Sequence, residues 1–153
     1  MTSEFGTTQL EAQPMVGIRT KTTMDKIAET MGMLFGELHG YVQQSGQAPA
    51  GMPFAIYHEM HGGTVDLECG MPVASPLAGT DRIRAGELPC GKAATVTHTG
   101  HYEQLRHTWE ALTAWMKSEG LEPAGAPWEV YVTDPGREPD PAKWRTDIFF
   151  PVR

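Results

Sequence analysis

The sequence contains an internal repeat, and this repeat limits the fold more than any other feature does. Residues 48–57 align without gaps with residues 122–131, so that position 57 matches position 131, an offset of 74. The same offset carries Ser45-Gly46, which ends one predicted helix, onto Glu119-Gly120, which ends another. Because residue identities, helix stripes and turn positions agree at one offset, the chain is predicted to hold two copies of one supersecondary unit.

Each copy has the pattern strand, helix, strand, strand. Alternating apolar and polar residues predict the strands, and apolar residues three and four positions apart predict the helices. Thr22 or Thr23 can cap the first helix. Near the ends of the copies, Val65-Asp66-Leu67 resembles Thr146-Asp147-Ile148. The predicted strands cover residues 14–22, 54–59, 64–69, 82–88, 91–99, 127–134 and 143–150, and the predicted helices cover residues 24–44 and 102–118.

Two such units predict an α+β fold in one domain. We expect tandem duplicated β-α-β-β units that form one mostly antiparallel sheet, with two helices on one side and a central ligand groove. Residues 1–13 are predicted to be a flexible N-terminal tail, and residues 14–153 a single domain. Within it, the first copy covers about 14–75 and the second about 80–153.

Composition and charge exclude several classes of function. The net charge is −7, from 19 acidic and 12 basic residues, which disfavours a nucleic-acid surface. No apolar run approaches the ~20 residues that a membrane span needs, and the N-terminus lacks the apolar region of a signal peptide. We therefore expect a cytoplasmic protein. Cys69 and Cys90 are expected to be free thiols.

The strand over residues 127–134 carries the strongest candidate for a functional group. Because strand side chains alternate between faces, Trp128 and Val130 are predicted to face the core, and Glu129 and Tyr131 to share the opposite face. The repeat places Glu129 where the first copy has Ala55, and a structural role requires a carboxylate at neither position. The alternative is that Glu129 is a solvated residue of a sheet edge.

Histidines do not form a recognised metal pattern. His58 and His61 lie three apart on a strand and turn, which differs from the helical H-E-x-x-H pattern. His98 and His101 flank a strand-to-helix turn, and His98 fits either a polar group near a pocket mouth or a hydrogen-bonded strand residue. No phosphate loop or dinucleotide fingerprint is present. We predict no metal and no cofactor.

Five motifs, in this order along residues 14–152, resemble the GyrI-like (gyrase-inhibitor-like) family, which includes the effector-binding domains of AraC-type and MerR-type transcription regulators. They are Pro14-Met15-Val16-Gly17-Ile18-Arg19, Pro53-Phe54-Ala55-Ile56-Tyr57, Leu88-Pro89-Cys90-Gly91, His98-Thr99-Gly100-His101-Tyr102-Glu103-Gln104-Leu105 and Pro127-Trp128-Glu129-Val130-Tyr131-Val132-Thr133-Asp134-Pro135. In this family Pro often stands at the position of His101.

The resemblance implies a domain that binds apolar, often aromatic or cationic, small molecules. It implies that the Glu on the strand of Glu129 contacts the ligand and that aromatic residues line the pocket. It further implies that some members are hydrolases that open cyclopropane-bearing toxins with a Glu and a Tyr. We add Tyr57 and His98 to the set that the family implies, and the predicted ligand-binding residues are Glu129, Tyr131, Tyr102, Trp109, Trp144, Tyr57 and His98.

Three functions remain open at this point. The first is a stand-alone binding domain for hydrophobic, aromatic or cationic small molecules, since no DNA-binding motif precedes it in this sequence. The second is a hydrolase of electrophilic toxins that uses Glu129 and Tyr131 as catalytic residues. The third is a protein inhibitor of an enzyme such as gyrase. None of the three requires direct contact with nucleic acid or membrane, and a homodimer is compatible with each.

Overall fold

A computed structural model describes residues 5–153, which form eight strands and two α-helices. Short 3₁₀ turns lie at Tyr102–Gln104 and Pro141–Lys143. In chain order the elements are β1 (Gly6–Leu10), β2 (Gln13–Thr23), α1 (Ile27–Gln44), β3 (Phe54–His61), β4 (Thr64–Pro72), β5 (Arg84–Leu88), β6 (Gly91–Thr99), α2 (Leu105–Ser118), β7 (Trp128–Tyr131) and β8 (Arg145–Pro151).

The chain folds as two compact units. The first unit comprises residues 11–90 and has the antiparallel strand order β3-β4-β2-β5, with α1 against β2 and β4. The second unit comprises residues 5–10 and 91–153 and has the antiparallel order β1-β6-β8-β7, with α2 against β6. Each unit contains the predicted β-α-β-β succession, so the α+β fold class is confirmed.

Equivalent positions of the two units make equivalent contacts. The amide of Ala50 donates to the carbonyl of Pro72 at 2.9 Å, and the amide of Ala124 donates to the carbonyl of Pro151 at 2.8 Å. Both helices are followed by a glycine with positive φ, 85° at Gly46 and 70° at Gly120. A side chain is strained in that conformation, which explains why glycine stands at both helix ends.

In the structure, the first turn of each helix differs from the prediction. β2 continues to Thr23 because Thr22 and Thr23 pair with residues of β4, so α1 begins only at Ile27 and has no side-chain cap. α2 begins at Leu105, and the three residues before it form a 3₁₀ turn. The imidazole of His101 accepts a hydrogen bond from the amide of Glu103 at 3.1 Å and thereby caps this turn.

The prediction of a flexible tail over residues 1–13 is wrong for Gly6–Leu10, which form β1 and pair with β6 from Gly91 to Thr95. Phe5 stacks on Trp115 of α2 with the ring centroids 5.6 Å apart. Residues 1–4 of the predicted tail lie outside the described residues. The sequence pattern missed β1 because its side chains are polar and mostly exposed, so that its order comes from backbone pairing.

The core of the second unit lies between α2 and one face of its sheet. Buried apolar residues of α2 pack against alternate residues of β6 and β8, and this arrangement fixes which face of the sheet is interior. Neither helix of residues 5–153 has the length and apolar composition that crossing a membrane requires. The buried core residues of the second unit are Ala94, Val96, Leu105, Leu112, Met116, Ile148 and Val152.

Candidate functional site

Glu129 is a buried acidic residue on β7 of the second unit, with 3% of its surface exposed. Its carboxylate accepts a hydrogen bond from the indole Nε1–H of Trp109 at 2.5 Å and another from the hydroxyl of Tyr131 at 2.7 Å. A buried charge is costly unless hydrogen-bond donors compensate it, and these two neutral donors do so without neutralising it. The equivalent residue of the first unit is Ala55, which is fully buried.

Strand register places Glu129 on the helix-covered face of the sheet. Glu129 is directly opposite Ile148, and Ile148 belongs to the core beneath α2. Residues paired directly across an antiparallel ladder share a face, so Glu129 and Tyr131 face α2. Trp128 is buried, as predicted, but it lies on the face opposite α2, where it stacks on Phe149 at 5.7 Å.

Four rings, hereafter the aromatic cluster, are His101, Tyr102, Tyr131 and Trp144. Tyr102 lies edge-on to Tyr131 with centroids 5.9 Å apart and is tilted against Trp144 at 4.9 Å, and His101 stacks on Trp144 at 5.4 Å. The indole of Trp144 donates to the carbonyl of Glu138 at 2.8 Å, which fixes the plane of its ring. Through Tyr131, the cluster is continuous with the Glu129 carboxylate.

The phenol of Tyr102 remains protonated over a wide pH range. Burial raises its pKa above the ordinary value, and the nearby negative charges of Asp134 and Glu129 raise it further. A protonated phenol can donate a hydrogen bond. Tyr102 therefore supplies a ring face and a neutral donor on the same side as Glu129.

His98 has a neutral imidazole under α2, with 1% of its surface exposed and both ring nitrogens hydrogen-bonded. Its Nε2 lies 3.1 Å from the carbonyl of His101, and because a carbonyl only accepts, Nε2 carries the proton. Nδ1 then accepts from the hydroxyl of Thr108 at 2.7 Å. Burial lowers the pKa of His98, which agrees with a neutral ring.

Six of the seven predicted ligand-binding residues lie in the second unit. Trp109 and Tyr131 contact Glu129, while Tyr102 and Trp144 join it through the aromatic cluster. His98 lies on the same face as Tyr131, since both are opposite Thr146 in their ladders. Tyr57 lies on β3 of the first unit, opposite Leu67.

Sequence reasoning missed Thr146, which is fully buried. The sequence match set Thr146 beside Val65, whereas the ladders show that it is equivalent to Leu67. Thr146 is opposite Tyr131 just as Leu67 is opposite Tyr57. A match that held the Tyr57 and Tyr131 ladders in register would have found this replacement of a leucine by a threonine.

Two histidines away from the site, His58 and His61, are paired with carboxylates. His58 contacts Glu68 at 2.9 Å and His61 contacts Glu59 at 2.6 Å. Within residues 5–153 no group of three or more His, Cys, Asp or Glu side chains has the geometry to hold a metal ion.

A family model described as a GyrI-like small molecule binding domain matches residues 4–153. No curated protein matches the sequence. Solved structures with the same fold include the C-terminal domain of EcmrR, at 22% identity and a TM-score of 0.83 over 98% of this chain and 97% of that one. In a complex of EcmrR with DNA, the match has 22% identity and a TM-score of 0.87, and it covers 98% of this chain but only 57% of that chain.

Two further structures share the fold. SAV2435 bound to tetraphenylphosphonium is 15% identical with a TM-score of 0.69, over 99% of this chain and 94% of that one. A hydrolase encoded by lin2189 from Listeria innocua is 14% identical with a TM-score of 0.66, over 98% and 92%. At these identities the likeness shows the fold alone.

Proposed function

The chain belongs to the family of GyrI-like small molecule binding domains, and we propose that its ligands are hydrophobic cations, above all aromatic ones, held at Glu129 and the aromatic cluster. The single observation that carries the proposal is the buried carboxylate of Glu129, which stands where the duplicated scaffold has Ala55. A buried carboxylate is costly to maintain, and structure alone does not require it.

The surroundings of Glu129 suit a cation of low charge density. A positive charge near a desolvated carboxylate gains Coulomb energy that water would otherwise screen. The ring faces of Tyr102, Tyr131 and Trp144 add cation–π attraction and apolar contact. Both carboxylate oxygens already accept hydrogen bonds, from Trp109 and Tyr131. The site therefore binds its ligand through charge and shape. This mode of binding suits phosphonium or quaternary ammonium groups, which have no N–H to donate.

The direct test compares two ligands of one shape and opposite charge. Tetraphenylphosphonium and tetraphenylborate are titrated by calorimetry into the native protein and into Glu129→Gln. The native protein should bind the cation and reject the anion. Glu129→Gln keeps the side-chain shape but removes the charge, so its affinity for the cation should fall about 5- to 150-fold, equivalent to roughly 1–3 kcal/mol.

Glu110→Gln is the matched control, because it makes the same change of charge at an exposed position of α2 that pairs with Arg106. It should bind tetraphenylphosphonium like the native protein. Equal binding of the cation and the anion, or unchanged cation affinity in Glu129→Gln, would contradict the proposal.

A second candidate is hydrolysis of electrophilic, cyclopropane-bearing toxins at the same site. The observation that favours it is the 2.7 Å hydrogen bond between the Tyr131 hydroxyl and Glu129, since the pair could hold a general base beside a proton donor. Glu129 would take a proton from attacking water, and the Tyr131 hydroxyl would donate to the atom that gains electrons as the ring opens. Glu129→Gln would then bind substrate but turn it over about 10²–10⁴-fold more slowly.

Mass spectrometry separates the two functions, because ring opening by water adds 18 Da to the substrate. A binding protein returns the toxin unchanged, whereas a hydrolase yields the hydrated product at a rate that depends on Glu129 and Tyr131. The third candidate, inhibition of an enzyme such as gyrase, needs an acidic exterior surface, and the acidic group on which the present proposal depends is buried.

A further inference from the structure

Thr146 is a buried polar residue that the proposed cation site does not yet use. Its side chain is fully buried in β8, and its hydroxyl oxygen has no hydrogen-bond partner among the described residues. Leaving a buried hydroxyl unpaired costs free energy, so such groups are uncommon in native proteins and call for an explanation.

Two cross-strand neighbours place Thr146 next to the Glu129 site. It is opposite His98 on β6 and opposite Tyr131 on β7, so the three side chains form one row on the helix-covered face. The next row along the same strands contains Val96, Ile148 and Glu129. Thr146 is thus one row from the carboxylate and adjacent to the aromatic cluster through Tyr131.

The neighbours of the Thr146 hydroxyl are engaged elsewhere. The Tyr131 hydroxyl donates to Glu129. Both ring nitrogens of His98 are used, one by Thr108 and one by the carbonyl of His101. The first unit has the fully buried Leu67 at the position of Thr146, so the scaffold packs without a hydroxyl there.

We propose that Thr146 is a ligand-binding residue. Its hydroxyl forms a hydrogen bond with a neutral polar group that the ligand carries next to its cationic centre. This inference rests on the proposed function of the Glu129 site. It narrows the ligand class from hydrophobic cations in general to aromatic cations that also carry a hydroxyl, carbonyl or ether group. Glu129 recognises the charge, and Thr146 recognises the polar substituent.

The test uses tetraphenylphosphonium and its three mono-hydroxylated analogues, with one phenol hydroxyl in the ortho, meta or para position of one ring. At least one analogue should bind the native protein roughly 2- to 12-fold more tightly than the parent cation, the gain expected from one hydrogen bond. Thr146→Val keeps the shape of the side chain and removes the hydroxyl. It should abolish this gain, measured as the ratio of the affinities of the analogue and of tetraphenylphosphonium for the same variant.

Two control variants test whether the gain depends on a hydroxyl at position 146. Thr95→Val removes a hydroxyl from the opposite face of β6, since Thr95 is paired with Phe149, and it should retain the gain. Thr146→Ser keeps a hydroxyl and should retain most of it. The inference is overturned if no analogue binds more tightly than the parent cation, or if the gain survives in Thr146→Val. Failure of every cation to bind the native protein would instead reject the proposed function itself.

Thermal unfolding without ligand provides an independent readout. Thr146→Val should unfold at the same or a higher temperature than the native protein, because it removes an unpaired hydroxyl. Thr108→Val should unfold at a lower temperature, because it breaks the hydrogen bond to His98. A loss of stability in Thr146→Val as large as that in Thr108→Val would show that the Thr146 hydroxyl has a structural partner and would overturn the inference.

Discussion

Individual residues decide how the second unit can hold a carboxylate in its interior. Glu129 is opposite the buried Ile148, yet its two oxygens accept hydrogen bonds from Trp109 and Tyr131. Trp109 comes from α2 and Tyr131 from the same strand, two positions further on. The helix and the strand thus each contribute one donor, and the position of α2 on the sheet fixes the geometry of the site.

Removing the indole donor should destabilise the protein. Trp109→Phe keeps an aromatic ring but removes the N–H that bonds to Glu129, so the free energy of unfolding should fall by about 1–3 kcal/mol. Denaturant titration monitored by circular dichroism measures this change. Trp115→Phe, on the same helix, makes the same substitution where the ring stacks on Phe5 and should cost less. Equal losses in the two variants would mean that the hydrogen bond to Glu129 contributes no net stability.

His98 should make stability fall on the acidic side of neutrality. Its pKa is lowered in the folded protein by burial, so below the unfolded pKa of about 6.5 the unfolded chain binds a proton that the folded chain does not. The contribution of His98 is therefore fully present above pH ~6.5 and is lost progressively as the pH falls from there towards the folded pKa. Chemical unfolding measured at intervals from pH 7.5 to 5 should show this decline.

The matched variants are His98→Gln and His107→Gln. The first removes the buried imidazole and should flatten the decline of stability with falling pH, whatever its own stability at pH 7.5. The second replaces an exposed imidazole of α2 and should leave the decline as it is in the native protein. An unchanged pH dependence in His98→Gln would assign the acid sensitivity to other groups.

At the scale of elements, the outer strand of each unit pairs with a strand that is not adjacent to it in sequence. β1 pairs with β6, although β2 follows it directly in sequence, and β5 pairs with β2, although β6 follows it directly. The chain therefore passes from one unit to the other after Leu10 and again after Cys90. These pairings depend on long-range contacts, which local patterns do not encode.

Deletion of residues 1–10 tests the role of β1. The deletion removes the ladder with β6 and the stacking of Phe5 on Trp115, and should lower the free energy of unfolding by about 2–4 kcal/mol, a fall of roughly 5–15 °C in Tm. The newly unpaired edge of β6 should also promote self-association at high concentration. Differential scanning calorimetry and light scattering measure the two effects. A truncated protein as stable as the parent would show that the β1 pairing contributes no net stability, as expected of a flexible tail.

At the scale of the whole molecule, the net charge of −7 limits direct contact with nucleic acid. Binding to DNA depends on Lys and Arg that neutralise phosphates, and an excess of acidic residues opposes it. Fluorescence anisotropy with a labelled 20-base-pair duplex in 150 mM salt should therefore show no saturable binding by this chain. Saturable binding that weakens steeply with added salt would reveal a basic surface that the overall charge conceals, and would refute the expectation.

The sequence by itself determined the α+β class and the β-α-β-β succession, and it predicted Glu129 and its aromatic neighbours as a candidate site. These features follow from information local in the chain, namely the apolar period of each helix, the alternation of each strand and the repeat that sets Glu129 against Ala55. The resemblance to the GyrI-like family was confirmed for the same reason, because its motifs are short contiguous stretches.

Only the tertiary structure decided which face of β7 lies under α2, which strands β1 and β5 pair with, and where Thr146 lies. Alternation gives two faces, but the packing of α2 decides that Glu129 and not Trp128 faces the helix. The sequence match of Thr146 with Val65 differs by two residues from the pairing in the ladders, where Thr146 is equivalent to Leu67. These choices depend on contacts between residues distant in sequence, where the free energy of burial and pairing outweighs local preference.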